Sequence, residues 1–93
     1  MVDNSFGTLV ISKSGHDKDK LFIILKSDSE YIYLMDGISR TLDNPKKKNK
    51  KHVQIIDFVS NSLQEKIIAK KSIINEDIKY AIKSYYKLTK LNG

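Results

Sequence analysis

Between Gly7 and Phe58 turn residues cut the chain into apolar runs, and none of these is long enough for a helix. "GTLVISK" spans residues 7–13, and its β-branched residues alternate in side, which predicts a strand from about Gly7 to Lys13. Gly15, Asp17 and Asp19 then supply a turn. "LFIILKS" at 21–27 is a short run bounded by polar turns, so a buried strand is expected. "DSE" reads as a hairpin turn. "YIYLMD" follows as a third strand, with Tyr31, Tyr33 and Met35 on one face and Ile32 and Leu34 on the other. Gly37 breaks it, "ISRTL" is expected to be a fourth strand, and "HVQIIDF" a fifth. Short strands at this spacing suggest a small sandwich or barrel, and a barrel is preferred because closure removes exposed edges.

The period changes after Phe58. Ser62 and Glu65 have the S-x-x-E spacing of a capping box, and Leu63, Ile67 and Ile68 fall on one helical face. A second helix is expected from about Asn75, with Glu76 and Asp77 at the favourable end of its dipole. Ile78, Ala81, Ile82, Tyr85 and Leu88 make an apolar stripe, and Lys79, Lys83, Lys87 and Lys90 a basic one. Asn92-Gly93 is a suitable end. The expected architecture is mainly β with C-terminal helices: a five-stranded barrel over residues 1–59, and a helical extension over 60–93 packed on it as one structural domain.

The 93 residues carry a net charge of +6, which favours a polyanionic partner, nucleic acid or a membrane surface. No segment approaches the roughly 18 apolar residues of a membrane-spanning helix. The N-terminus "MVDNSFGTLV" resembles neither a secretory signal nor a transit peptide. The absence of cysteine removes disulfides and thiolate zinc sites, and it fits a reducing cytoplasm.

Two loops carry most of the basic character. The first is Ser12-Lys13-Ser14-Gly15-His16-Asp17-Lys18-Asp19-Lys20, where Gly15 permits φ > 0 and close approach of a phosphate. The second is Pro45-Lys46-Lys47-Lys48-Asn49-Lys50-Lys51-His52, which includes the only proline. In this order and separation they resemble the "S-K-x-G-x-D-K-G-K" and "P-K-K-K-N-x-K-H" loops of KOW-domain RNA-binding proteins. That family is similar to the KOW-containing large-subunit ribosomal proteins of archaea and eukaryotes. "YLMDG" and Arg40 lie between the two loops as the resemblance requires. Asp19 replaces the glycine usual after D-K and puts an acid in the loop. The resemblance covers residues 7–58 and implies an SH3-like barrel of KOW type that binds structured RNA, ribosomal in origin.

Taken alone, the lysine run is a solvated loop; beside the first motif it becomes an RNA contact. Its lysines would act as point charges on phosphate, with Pro45 stiffening the entry. The expected RNA-binding set is Lys13, Gly15, His16, Lys18, Lys20, Arg40, Lys46, Lys47, Lys48, Lys50, Lys51 and His52. Arg40, the one arginine, could take a phosphate or guanine, or else pair with Asp36 or Asp43. Tyr31 and Tyr33 fit half-buried strand positions better than base-stacking platforms. His16 and His52 lack the companions of a metal site and read as surface residues of basic loops. No nucleophile–base–orienter set is visible, so the expectation is a cytoplasmic, non-enzymatic RNA-binding protein without cofactor or metal, with ribosomal proteins as further partners. A protein-interaction module of SH3-like type and a peripheral binder of acidic membrane remain as alternatives.

Overall fold

A computed structural model describes residues 6–58 and 60–92, with side chains through residue 89. Five strands form one antiparallel sheet: β1 (Leu9–Ser12), β2 (Leu21–Ser27), β3 (Tyr31–Met35), β4 (Lys46–Asn49) and β5 (Val53–Ile56). Two helices follow, α1 (Asn61–Ile68) and α2 (Asn75–Asn92). The strand order is β4-β3-β2-β1-β5, so the chain meanders through four strands and returns to pair β5 with β1.

The expected closed barrel does not form. β4 and β5 are the two ends of the order and pair with β3 and β1 alone, so the sheet stays open. Both faces are nevertheless apolar. Leu9, Leu21, Ile23 and Met35 point to one face and are buried with Leu63 of α1 and Ile78, Ala81 and Ile82 of α2. Val10, Phe22, Ile24, Ile32 and Leu34 form a second cluster on the other face, each no more than 4 % exposed. Among the described residues no helix contributes to that cluster, and Val53 of β5 packs against it. A register shift between Ile24 and Lys26 in the β2–β3 ladder marks an irregularity of the kind that increases local twist.

The fourth strand is not "ISRTL". Residues 37–40 bend around the Asp36 carboxylate, whose Oδ1 accepts from the N–H groups of Ile38 and Arg40, both at 2.8 Å. Its Oδ2 accepts from the Ser39 hydroxyl, and these local bonds compete with a strand ladder. The lysine run supplies the strand instead. Lys46, Lys47, Lys48 and Asn49 pair with Leu34, Tyr33, Ile32 and Tyr31, and Lys50–His52 then make one 3₁₀ turn. Three like-charged positions tolerate this because β4 is an edge, where lysines deter pairing with other chains.

The N-cap of the first helix lies two residues earlier than expected. Ser60, not Ser62, is the N-cap, and its side chain accepts from the Leu63 N–H. Leu63 is buried and Ile67 half-buried, but Ile68, assigned to the same face, is 77 % exposed, because five residues on from Leu63 it stands roughly 140° around the helix. On α2 the stripe is buried at Ile78, Ala81 and Ile82, and Tyr85 meets Phe58 edge-on with ring centroids 5.2 Å apart. Leu88, the last residue of the expected stripe, is exposed. The Lys90 side chain and Gly93 lie outside the described residues. Among those residues no helix is long and apolar enough to cross a membrane.

α2 is tied down at its first turn. The Asn75 side chain accepts from the Leu42 N–H at 2.9 Å, and Asp77 accepts from the Ile74 N–H and from Lys66 of α1. Gly37, at φ +81°, lies so close that an added Cβ would stand 2.5 Å from the Asn75 carbonyl oxygen and 2.8 Å from the Lys79 nitrogen. Both obstacles are backbone. Gly37→Ala is therefore expected to cost roughly 2–4 kcal/mol, at the severe end for a single substitution, and thermal melts check this.

Acid should loosen the same junction. The backbone bond from Ile74 and the ion pair with Lys66 hold the Asp77 carboxyl below its ordinary value of 3.8. A lowered folded-state value means that the charged form stabilises the fold above about pH 4 and that this contribution fades as pH falls through the folded value. Asp77→Asn should lower the melting temperature at neutral pH and flatten the decline below pH about 4 in a series of melts across pH.

Candidate functional site

The fold joins the two basic segments that lie apart in the sequence. β5 runs beside β1, and this brings the end of the lysine run to the start of the first loop, where the Lys13 N–H donates to the His52 carbonyl at 2.8 Å. A second junction forms through β4. Cross-strand partners share a face, so Lys46 and Lys48, opposite Leu34 and Ile32, point to the face of the second cluster. Lys48 Nζ donates to the Ser14 carbonyl at 2.8 Å, and Lys46 makes an ion pair with Asp17. Both partners belong to the loop between β1 and β2, in which Gly15–Asp17 form a 3₁₀ turn.

These two lysines are therefore committed internally. Burial and the neighbouring Lys46 charge push the Lys48 ammonium below its ordinary value of 10.5, consistent with its half-buried place. Lys47 points the other way, toward the face of Tyr31 and Tyr33, with its Nζ 4.3 Å from the Tyr31 ring centroid. Lys26 sits likewise over Tyr33 at 4.9 Å. Both tyrosines are half-buried, as their strand positions imply, and their rings are partly covered by lysines.

The cations left facing solvent are Lys13, Lys18 and Lys20 on the first segment and Lys47, Lys50 and Lys51 on the second, with His16 and His52 exposed among them. Gly15, at φ +78°, is exposed, and its open Cα faces the Lys48 ammonium at 3.7 Å from an ideal Cβ position. Arg40, the remaining residue of the expected set, lies in the turn after β3. Its backbone closes the Asp36 turn, and the ion pairs of the described residues include neither Asp36 nor Asp43 with it. No cluster of three or more His, Asp or Glu groups suited to a metal occurs among the described residues.

Lys20 opens a second area that the sequence does not signal. It stands at the start of β2 beside Lys79 and Lys83 of α2, around an open groove of about 520 Å³. Those helix lysines were visible as a stripe, but only tertiary packing places them next to the first loop.

Asp19 occupies the position where the resembled loop has glycine, and its φ is +71°. The loop thus keeps the left-handed backbone that glycine would supply, and aspartate tolerates it better than most residues. Its N–H donates to the Ser12 carbonyl at 2.8 Å and closes the loop. Asp19→Ala is expected to destabilise the protein by about 1 kcal/mol, whereas Asp19→Gly should melt at or above the wild-type temperature. Equal losses in both variants would show that the carboxylate, not the backbone, is what the site needs.

Compared with family models and with curated proteins, the chain matches none.

Proposed function

We propose that this is a non-enzymatic RNA-binding protein that grips structured RNA through the joined surface of its two basic segments. The observation that carries the reading is the pair of junctions, Lys13 to His52 and Lys48 to Ser14, which make one basic surface from two separated motifs. The resemblance of both motifs to KOW-domain loops points the same way, and through it to ribosomal RNA, ribosomal protein neighbours, an SH3-like ancestry for the open sheet, and a cytoplasmic setting. Exposed lysines supply charge without a fixed fork, so this surface would bind phosphates and helix shape in preference to sequence. The open backbone at Gly15 adds a point where a phosphate can approach closely.

The lysines divide into two groups with different consequences. Lys47, Lys50 and Lys51 are exposed and would meet phosphate, while Lys46 and Lys48 hold the first loop. Replacing the first three by Gln should leave the melt unchanged and flatten the log–log salt dependence of binding to a folded RNA, by about 0.7–0.9 per lost contact. Replacing Lys46 and Lys48 should instead lower the melting temperature. A salt slope untouched by the first set would exclude this surface as the RNA contact.

A further inference from the structure

The groove beside Lys20 has a composition that a phosphate-binding surface alone does not require. Leu21, Ile38, Ile82 and Tyr86 give it an apolar floor and walls. Ile38 is 71 % exposed and Tyr86 46 % exposed, a cost in water that nothing in the packing recovers. Lys20, Lys79 and Lys83 stand around this floor, all exposed. Lys79 and Lys83 are four residues apart, roughly 6 Å along the axis of α2. The one acid of the lining, Asp36, has both oxygens occupied by its own turn.

We propose that this groove accepts a single unstacked RNA base, with the phosphates on either side of it held by Lys20, Lys79 and Lys83. The inference rests on the RNA-binding reading above and names what the protein recognises beyond the phosphate backbone. An apolar site ringed by cations matches the chemistry of a nucleotide, flat and apolar on its faces and anionic at its link. The groove volume lies within the range of small-ligand sites. Continuity selects RNA over an acidic peptide. Lys20 belongs both to the first basic loop and to the groove, so a strand lying along the loop meets the groove next. Tyr86 offers a ring face, and the walls offer few polar groups to read a base edge. The site therefore selects for an unpaired nucleotide and is indifferent to which base it is.

The test uses the full chain and two RNA hairpins, identical except that one carries a single bulged fluorescent purine analogue. The bulged hairpin should bind about five- to tenfold more tightly, the lower part of the range for stacking one base on an aromatic ring, and the analogue should be quenched. Tyr86→Ala and Ile38→Ser, both at exposed positions, should melt like the wild type and bind the paired hairpin normally. Each should lose the preference and the quenching. Equal binding of the two hairpins without quenching would overturn the groove assignment and leave the RNA-binding reading standing. If neither hairpin binds at low salt, both readings fall. Titration of a leucine-containing acidic peptide then completes the test, and saturable binding lost in Ile38→Ser would assign the groove to a protein partner.

Discussion

A β-sheet that is apolar on both faces has to be covered twice, and this chain has helices for only one of them. α1 and α2 cover the cluster around Leu9, Ile23 and Met35. The other cluster, around Val10, Phe22 and Leu34, has no helix on it among the described residues, and Lys46 and Lys48 stand on its face opposite Leu34 and Ile32. A lysine can do this because its four methylenes are apolar and only its end needs a polar partner. Those ends reach Asp17 and the Ser14 carbonyl, and so the same two lysines tie β4 to the first basic loop. Had β4 been apolar, the sheet would have presented a sticky edge and the loop would have had no anchor.

This arrangement separates charge used for structure from charge left for a partner. Lys46 and Lys48 face inward, Lys47 lies over Tyr31, and Lys50 and Lys51 emerge from the 3₁₀ turn into solvent. The density of the lysine run thus overstates its attraction for anions, because alternate residues of a strand face opposite ways. The groove near Lys20 works on a different principle. There the apolar floor comes from the packing of α2 against β2, and the cations stand around its rim.

β2 was legible in full, since its apolar run is bounded by polar turns, and it forms at Leu21–Ser27 as expected. β3 and the start of α2 were legible for similar local reasons. β4 was not, because nothing apolar marks it; its partners Leu34 and Ile32 lie in another strand, and the acid that pairs with Lys46 lies in a loop far off in sequence. "ISRTL" misled in the opposite sense, its β-prone residues being overruled by the bonds that Asp36 makes to its own turn. The cap of α1 was displaced by two residues since Ser60 and Ser62 are equally good candidates locally and only the position of the buried Leu63 separates them. Of the candidate site, the two motifs were legible as segments, and their union depends on β5 returning to β1. The groove was invisible, since Ile38 and Tyr86 are far apart in the chain and neither belongs to a recognisable pattern.

The two open edges of the sheet are unlike. β4 ends it with lysines, whereas β5 ends it with Val53-Gln54-Ile55-Ile56, and Ile55 is 66 % exposed. Strand-to-strand contact between molecules therefore has a preferred polarity. Two β4 edges repel, and a β4 edge meeting a β5 edge would have to strip water from its ammonium groups. Two β5 edges meet no such barrier. Any self-association through the sheet would run through β5 and stop at a pair, because each molecule has a single permissive edge. Growth into a fibre, which needs two such edges per molecule, is opposed by the charged β4 edge, on which Lys47 faces solvent.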